Sequence, residues 1–389
     1  MKIGFITTYP PMDCGIATYS NYLIEELRKL GNLIHIVSET DAKGKGVYPA
    51  YSKQDPDLAQ KIFETMVKKS PDIVHIQHEY GLFGLHHGIN VIPLIYKFRL
   101  SKIPVITTLH TVYDYFSYQQ KLVIEAIIRA SDAVIVHEDY QKESIYKNIG
   151  FFDNIFVIPH GVRKVSFIPD AKSKLGVENK KVILLIGYLR PSKNFDLMVK
   201  IFPKIKQKIP NSLLMISSGV RMNEYTDYLK SFTRLINDSP ARDSIMFLNE
   251  KSPQDLFDTT ICSADVAVMP YKVGAQSGIM AHLLAFGTPL VTSDLKAFEE
   301  TFKKSMCGFA SKTEEDYIRN IVDILTDKKL KDKLSSEALI LVDEELSWEK
   351  VAKETVKVYQ KIMDKYYITK YLDNQILSVN KKNYLSLNI

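Results

Sequence analysis

Histidine and glutamate side chains follow two apolar segments of the first half of the sequence, at the points where predicted strands end. His78 and Glu79 come at the end of the third apolar segment, and His110 directly follows the fourth. Such groups can bind the hydroxyls of a polar ligand such as a sugar, and they can act as acid or base. A metal site is not expected, because strand alternation sends His75 and His78 to opposite faces.

Two cations follow the first apolar segment of the second half of the chain, Arg190 and Lys193. Arginine offers a planar fork of donors and lysine a point charge, so the pair is suited to neutralise a diphosphate. The alternative is an ordinary solvated pair. Further along, Gln276, Ser277 and Gly278 open a predicted helix, whose N-terminal N–H groups would form another anion site.

A turn over residues 7–15 leads from the first strand into a helix that begins near Ile16. Gly15 lets backbone N–H groups approach a phosphate or a sugar hydroxyl, and the helix dipole favours negative charge. The glycines of a dinucleotide fingerprint are absent, which disfavours an oxidoreductase. In the alternative interpretation, Pro10, Pro11 and Gly15 only shape the turn.

Short runs rich in Ile and Val alternate along the sequence with longer amphipathic runs. This pattern predicts the strands and helices of a parallel α/β fold, which would position these residues. Two series of strands are predicted: 2–8, 33–38, 72–77, 104–109, 132–137 and 154–158, then 182–187, 212–217, 244–248, 264–269, 289–292 and 308–310. The sequence turns polar over residues 170–181, where we expect the linker. Ligands of such sheets bind at the carboxyl ends of the strands, so function is expected in a cleft between two open sheets.

The composition of the 389 residues, with 46% hydrophobic and 25% charged, is that of an ordinary globular protein. The net charge is +6, and ten basic residues against three acidic ones fall within residues 169–210. This basic segment could bind a phosphate group, or it could be an ordinary solvated face rich in lysine. Nucleic-acid binding is not expected, because the segment does not alternate basic with aromatic residues. Three cysteines lie far apart, which argues against a disulfide framework or a structural zinc.

The sequence predicts a cytoplasmic protein, because the longest apolar run, residues 182–189, is less than half of the roughly 18 residues that a membrane span needs. Peripheral contact with the inner membrane face stays open. Residues 96–102 mix aromatic and basic side chains that would suit anionic lipid, although they also read as an ordinary helix end.

Taken in order, these features resemble the retaining glycosyltransferases of family 4, which have the GT-B architecture of two facing Rossmann-like domains with doubly wound parallel sheets. The resemblance spans about residues 1–365. It rests on Gly15 after the first strand, His110 after the fourth, the segment His160-Gly161-Val162, the glycine-to-lysine segment 187–193, and the helix end 285–289 that reads Ala-Phe-Gly-Thr-Pro.

Two departures from the family pattern concern charged residues. The arginine that usually follows the glycine is Tyr188 here, so Arg190 would supply that charge. The family's pair of glutamates falls on Gly274 and His282, so both carboxylates are missing. Glu299 or Glu300 is the substitute that we expect for the carboxylate gripping the donor ribose. The Gln-Ser-Gly segment resembles a subgroup associated with mannose transfer.

The resemblance implies an acceptor-binding domain over residues 1–165, a donor-binding domain over 166–350, and a crossover helix with a tail over 351–389. It implies retaining transfer of a hexose, with mannose or glucose as the guess, from GDP-mannose or a UDP-sugar to a glycan or lipid-linked acceptor. No cofactor and no metal ion are expected, because protein cations and amides neutralise the leaving diphosphate.

The residues and the resemblance together give three sets of candidate site residues. They are, for catalysis, His110, Arg190 and Lys193; for the donor and its phosphates, Gly15, Gln276, Ser277, Gly278, Glu299 and Glu300; and for the sugar or acceptor, Cys14, His78, Glu79 and His160. Alternatives of the same fold are a nucleotide-sugar epimerase, a glycan phosphorylase, or a catalytically silent sugar- or nucleotide-binding protein. The oligomeric state stays open.

Overall fold

The computed structural model describes residues 1–219, 225–249, 253–274 and 277–386, with side chains as far as residue 368. The chain divides into two compact units. Unit 1 comprises residues 1–159 together with 348–389, and unit 2 comprises residues 160–347. This division precedes both the boundary at 165/166 and the linker over residues 170–181 that the sequence predicts, and residues 170–181 belong to unit 2.

Unit 1 is built on a seven-stranded sheet. Its strands are β1 (Lys2–Ile6), β2 (Leu33–Glu39), β3 (Val47–Tyr51), β4 (Ile73–His78), β5 (Val105–Leu109), β6 (Ala133–Val136) and β7 (Ile155–Val157). The helices between them are α1 (Gly15–Lys29), α2 (Leu58–Val67), α3 (Val91–Leu100), α4 (Tyr118–Ala130) and α5 (Asp139–Asn148).

All pairs of this sheet are parallel, in the order β3-β2-β1-β4-β5-β6-β7. Strands β4 and β5 are buried along their whole length, because helices cover both faces of a parallel sheet. The strand order reverses between β1 and β4. The carboxyl ends of these two strands therefore form the crevice where doubly wound sheets bind ligands.

Unit 2 repeats this plan with six parallel strands in the order β10-β9-β8-β11-β12-β13. They are β8 (Lys181–Ile186), β9 (Ser212–Ser217), β10 (Ile245–Leu248), β11 (Val266–Met269), β12 (Leu290–Ser293) and β13 (Gly308–Ser311). The helices are α6 (Ala171–Lys174), α7 (Phe195–Lys208), α8 (Thr226–Asn237), α9 (Gln254–Cys262), α10 (Gly278–Ala285), α11 (Lys296–Lys304), α12 (Glu314–Thr326) and α13 (Lys328–Leu341). The order reverses between β8 and β11.

The last helix, α14 (Trp348–Ser386), returns the chain to unit 1 and packs against α1. The sequence predicts a helix only as far as residue 366, followed by a tail without a clear period. The structure continues the helix to Ser386. Residues 348–386 contain neither glycine nor proline, so nothing in the local sequence ends the helix earlier.

Candidate functional site

The crevice of unit 1 brings His78 and Glu79 to the end of β4, next to the end of β5. Glu79 accepts hydrogen bonds from the Thr111 hydroxyl at 2.5 Å and from the Tyr80 backbone N–H at 2.9 Å. Burial raises the pKa of Glu79, and these two bonds oppose the shift. His78 donates from Nε2 to the carbonyl of His87 at 3.3 Å, and burial lowers the pKa of His78 to about 4. Both residues thus hold the loops after β4 and β5.

His110 lies at the same edge, 5% exposed, inside a chain of hydrogen bonds. Its Nε2 is 2.8 Å from Oε1 of Gln77, and its Nδ1 is 3.3 Å from Nε2 of His137. The Tyr19 ring of α1 meets the His110 ring edge to face at 4.7 Å. The imidazole is therefore fixed from three sides.

The chain of hydrogen bonds continues beyond Gln77 and His137. Gln77 Nε2 lies 3.1 Å from Nε2 of His75, whose Nδ1 is 2.6 Å from the Tyr359 hydroxyl of α14. At the other end, His137 donates from Nδ1 to the carbonyl of Ile158 at 3.0 Å. Burial lowers the pKa of His75 to about 3 and that of His137 to about 4, so both rings are neutral at pH 7.

Helix α1 begins with Cys14 and Gly15 at the end of the turn that follows β1. Cys14 is the N-cap residue, and its Sγ accepts a hydrogen bond from the Thr8 hydroxyl at 3.4 Å. A Cβ added to Gly15 would meet no atom of the described residues within 4 Å. Because the chain itself does not require a glycine here, the open space is suited to a ligand that approaches the helix N-terminus.

In unit 2, Arg190 and Lys193 follow β8 as predicted and lie close enough to affect each other. Lys193 Nζ sits 3.4 Å above the centre of the Tyr271 ring, which follows β11. Burial first, and the charge of Arg190 second, lower the pKa of Lys193 to about 7. Nε of Arg190 is buried without a hydrogen-bond partner among the described residues. Within the described part of the chain, this crevice thus brings together two cations, one of which has a buried nitrogen without a hydrogen-bond partner.

The N-terminus of α10 lies beside these cations. Ser277 is its N-cap and accepts a hydrogen bond from the N–H of Met280 at 3.4 Å. A Cβ added to Gly187, the residue that follows β8, would meet the Ile279 side chain at 3.3 Å. The structure therefore brings the loop after β8 and the start of α10 into contact, and Gly278 faces open space as Gly15 does.

His282, which replaces the second family glutamate, is committed to internal contacts. Arg163 donates from Nε to His282 Nδ1 at 3.2 Å, and it pairs with Asp258 through both of its terminal nitrogens. Burial and the Arg163 charge lower the pKa of His282 to about 4. A neutral ring held in this way does not replace a carboxylate.

The two substitute carboxylates differ in their surroundings. Glu300 is paired with Lys303 at 2.6 Å, whereas no ion pair or side-chain hydrogen bond of Glu299 is found within the described part of the chain. Both lie on α11, next to Phe298, whose ring packs against Tyr271 at 5.5 Å. Of the two carboxylates, Glu299 is therefore the one that is not paired with Lys303.

Two further candidates lie elsewhere. His160 is the first residue of unit 2, and its Nδ1 donates to the carbonyl of Gly161 at 2.7 Å. Gln276 lies outside the described residues. A cavity of about 390 Å³ at the amino ends of β11 and β12 contains none of the predicted site residues; Asp265 there is already paired with Lys172 and Lys331.

Sequence reasoning missed several residues of both crevices: Gln77, His137, Tyr359, Arg163 and Tyr271. His110 is selected because it follows the fourth predicted strand. His137 is the last residue of the fifth predicted strand, so the same criterion would have found it. Tyr359 and His75 are 284 positions apart, and no local pattern reports such a pair. Within the described residues, no group of three acidic, histidine or cysteine side chains could hold a metal ion, and no helix is long and apolar enough to cross a membrane.

Two Rossmann-like parallel-sheet domains define the class of this protein, the GT-B fold. Among solved structures, Anabaena HepE in complex with UDP-glucose has a TM-score of 0.72 at 15% identity and covers 93% of this chain and 100% of that chain. Sucrose-phosphate synthase from Thermosynechococcus elongatus has a TM-score of 0.75 at 16% identity and covers 94% and 99%. These similarities establish the fold alone.

The family follows from the sequence of each unit. Residues 14–164 match the Glycosyltransferase Family 4 domain, and residues 167–339 match the domain described as Glycosyl transferases group 1. The two matches follow each other along the chain, one in each sheet domain. The chain therefore belongs to the family 4 glycosyltransferases of the GT-B type.

Three relatives illustrate the range of this similarity. The putative glycosyltransferase YtcC of Bacillus subtilis is 27% identical over 49% of this chain and 48% of its own length. Alpha-monoglucosyldiacylglycerol synthase of Streptococcus pneumoniae is 24% identical over 84% and 78%. Phosphatidyl-myo-inositol mannosyltransferase of Mycobacterium tuberculosis is 21% identical over 93% and 97%. The match to YtcC thus spans about half of that relative.

Proposed function

We propose that this protein transfers a hexose from a nucleotide-diphospho-sugar to an acceptor hydroxyl and retains the anomeric configuration. The observation that carries the proposal is the pair of cations after β8: Nε of Arg190 is buried without a hydrogen-bond partner among the described residues, Lys193 lies close enough to feel its charge, and the same loop contacts the first turn of α10. A diphosphate would supply two negative charges to these cations and to the helix N-terminus.

The same groups explain how the reaction proceeds. As the sugar leaves, negative charge develops on the diphosphate, and fixed cations and helix N–H groups stabilise it without reorganisation. Retention follows when the acceptor attacks from the side of the leaving group, and the diphosphate oxygen then takes the acceptor proton. This chemistry needs no metal ion, because Arg190 and Lys193 supply the positive charge.

One residue of this chain is proposed for the donor ribose and one for the transferred sugar. Glu299 is the carboxylate that we assign to the ribose, since Glu300 is paired with Lys303 and His282 is bound by Arg163. His110 is assigned to the transferred sugar. For the donor nucleotide we propose UDP, because HepE was solved with UDP-glucose, and GDP-mannose stays the alternative that the resemblance implies.

The acceptor is proposed to be a lipid that carries a free hydroxyl. The names of two relatives that match most of this chain contain a lipid, glucosyldiacylglycerol in one and phosphatidyl-myo-inositol in the other. Unit 1 would hold this hydroxyl, because its crevice offers neutral imidazoles and the partly buried Glu79 instead of fixed positive charge.

The test begins with a thermal-shift screen of UDP-glucose, GDP-mannose and ADP-glucose, each with Mg²⁺ and with EDTA, because a ligand of the folded state raises Tm. The donor that shifts Tm is then incubated with vesicles that contain diacylglycerol or phosphatidylinositol, and with soluble sugars. We expect metal-independent transfer and an anomeric NMR signal of the same configuration as the donor. Arg190→Ala and Lys193→Ala should abolish transfer, whereas Lys200→Ala, an exposed cation on α7, should not.

The rival activities give different results in the same experiment. Conversion of the donor without an acceptor would identify an epimerase, and phosphorolysis of a glycan would identify a phosphorylase. Binding without turnover across all acceptors would identify a silent binding protein. Unchanged transfer in both Arg190→Ala and Lys193→Ala would contradict the assignment of the diphosphate site.

A further inference from the structure

The Tyr271 side chain lies in the crevice of unit 2 and is held there by contacts from two other segments. Tyr271 is the second residue after β11, which neighbours β8 where the strand order reverses. The backbone N–H of Lys272 donates to the carbonyl of Ser192 at 2.8 Å, so the loop after β11 is tied to the loop after β8. The ring also packs edge to face against Phe298 of α11, with the centroids 5.5 Å apart. These contacts fix the ring beside the two cations.

The hydroxyl of Tyr271 is buried without a hydrogen-bond partner among the described residues, and the residue is only 3% exposed. Burial raises the pKa of this hydroxyl, so it stays protonated at neutral pH and can donate. The Ser277 side chain opposes that rise, which means that the N-cap of α10 is close to the hydroxyl. A buried polar group without a partner is unfavourable, so the free protein pays for a donor that it does not use.

Two further donors surround the same ring. Nε of Arg190 is likewise buried without a partner in the described part of the chain. Nζ of Lys193 lies 3.4 Å above the centre of the Tyr271 ring, held by the negative face of the aromatic system. A hydroxyl, a guanidinium and an ammonium that meet in one place call for a ligand that accepts several hydrogen bonds and carries negative charge.

We propose that Tyr271 is a further donor-binding residue, whose hydroxyl donates a hydrogen bond to a phosphate oxygen of the nucleotide diphosphate. This inference rests on the proposed function, because it assumes that the cations after β8 bind a diphosphate. In the free protein the same ring serves as the platform on which the Lys193 ammonium rests.

The hydroxyl becomes accessible when Lys193 changes partner. Its ammonium covers one face of the Tyr271 ring, and the lysine side chain is long and flexible. A phosphate oxygen is a stronger partner for an ammonium than an aromatic face is. The incoming diphosphate therefore draws the ammonium away from the ring without any movement of the backbone, and it uncovers the edge that carries the hydroxyl.

Tyr271→Phe tests the contact, because it removes the hydroxyl and keeps the ring beneath Lys193. Calorimetry in EDTA measures the affinity for UDP, GDP and inorganic pyrophosphate, the last of which needs no choice of base. We expect the affinity of the diphosphates that bind the wild type to fall by on the order of tenfold to a hundredfold, since the lost bond is one to a charged group. The Tm of the ligand-free variant should be no lower than that of the wild type, because the hydroxyl has no partner there to lose.

Tyr51→Phe is the matched control. Tyr51 is the last residue of β3 in unit 1, is 1% exposed, and has a hydroxyl that is also buried without a partner among the described residues. Its replacement should likewise leave Tm equal or higher, but it should not change the affinity for a diphosphate. An equal loss of affinity in both variants would refute the contact. A lower Tm or the loss of cooperative melting in Tyr271→Phe would show that the hydroxyl supports the fold, and would also refute it.

The outcomes separate this proposal from the proposed function. If Tyr271→Phe binds diphosphates as tightly as the wild type, the Tyr271 contact is wrong and the proposed function still stands on Arg190 and Lys193. If the affinity falls as expected but the wild type transfers sugar to no acceptor, the proposed function fails while the contact holds. A wild type that binds none of the three diphosphates would overturn both.

Discussion

Binding of a nucleotide sugar should make Lys193 take up a proton. In the free protein its Nζ lies 3.4 Å above the Tyr271 ring, and burial together with the charge of Arg190 lowers its pKa from 10.5 to about 7. A bound diphosphate adds negative charge next to both cations. The pKa of Lys193 should therefore return toward 10.5 in the complex, because an opposite charge nearby favours the protonated form.

The size of the effect follows from the distance between the pH and the free pKa. At pH 8 about one tenth of Lys193 is protonated before binding, so the complex should take up about 0.9 proton. The uptake should fall to about 0.5 proton at pH 7 and about 0.1 proton at pH 6. Since the complex holds more protons than the free protein, affinity should decrease as the pH rises above 7, by up to about tenfold per pH unit.

Calorimetry in buffers of different ionisation enthalpy measures this uptake. UDP-glucose or GDP-mannose is the suitable probe, because both phosphates are esterified and keep a constant charge over the range. Lys193→Arg is the matched control, since arginine stays protonated at every pH used and should bind without linked uptake. No uptake by the wild type at pH 8, or equal uptake by Lys193→Arg, would refute the reasoning.

Three further predictions concern stability and binding. Gly278→Leu should leave unfolding unchanged or stabilise the protein by about 0.5–1 kcal/mol, because its side chain enters open space at a helix start, but it should weaken donor binding at least about tenfold in calorimetry. Asp258→Asn should lower the free energy of unfolding by about 2 kcal/mol in urea, because it weakens the mostly buried pair with Arg163, whereas Asp227→Asn at an exposed pair should change it by less than about 0.5 kcal/mol. Glu79→Gln should have the same free energy of unfolding as the wild type near pH 4 and a higher one at pH 8. Burial raises the pKa of Glu79 in the folded state, so the wild type loses stability as the pH rises through that pKa, whereas glutamine does not ionise. A stability difference that does not grow between these two pH values would contradict the role of burial at this site.

The sequence predicts the two sheets well, because buried parallel strands are continuous apolar runs that end where polar residues begin. Strand β3 escaped prediction, since it lies at the sheet edge, contains Pro49, and buries only Tyr51. The candidate residues at the ends of β4, β5 and β8 could be placed in the same way, because they are the first polar residues after an apolar run. Tyr271 could not, because its position above Lys193 depends on how two loops distant in sequence pack together.

The same limit applies to the departures from the family pattern. The sequence shows that a glutamate is replaced by His282, but not what the histidine does instead. In the structure Arg163 binds this ring and also pairs with Asp258, so the position supports packing. The choice between Glu299 and Glu300 likewise depends on Lys303, which pairs with one of them. In both cases the interpretation depends on which side chain each residue contacts, and a sequence motif does not contain that information.

The two crevices share one construction and differ in charge, as the proposed binding of two unlike substrates requires. In each unit, a helix that follows one of the two strands at the reversal of strand order begins with a glycine: Gly15 in unit 1 and Gly278 in unit 2. A Cβ at either position would enter open space. In unit 2 the neighbours are Arg190 and Lys193, which suit a diphosphate. In unit 1 they are imidazoles such as that of His137, kept neutral by burial, which suit uncharged hydroxyls. This difference in charge is the reason that we propose unit 2 for the donor and unit 1 for the acceptor.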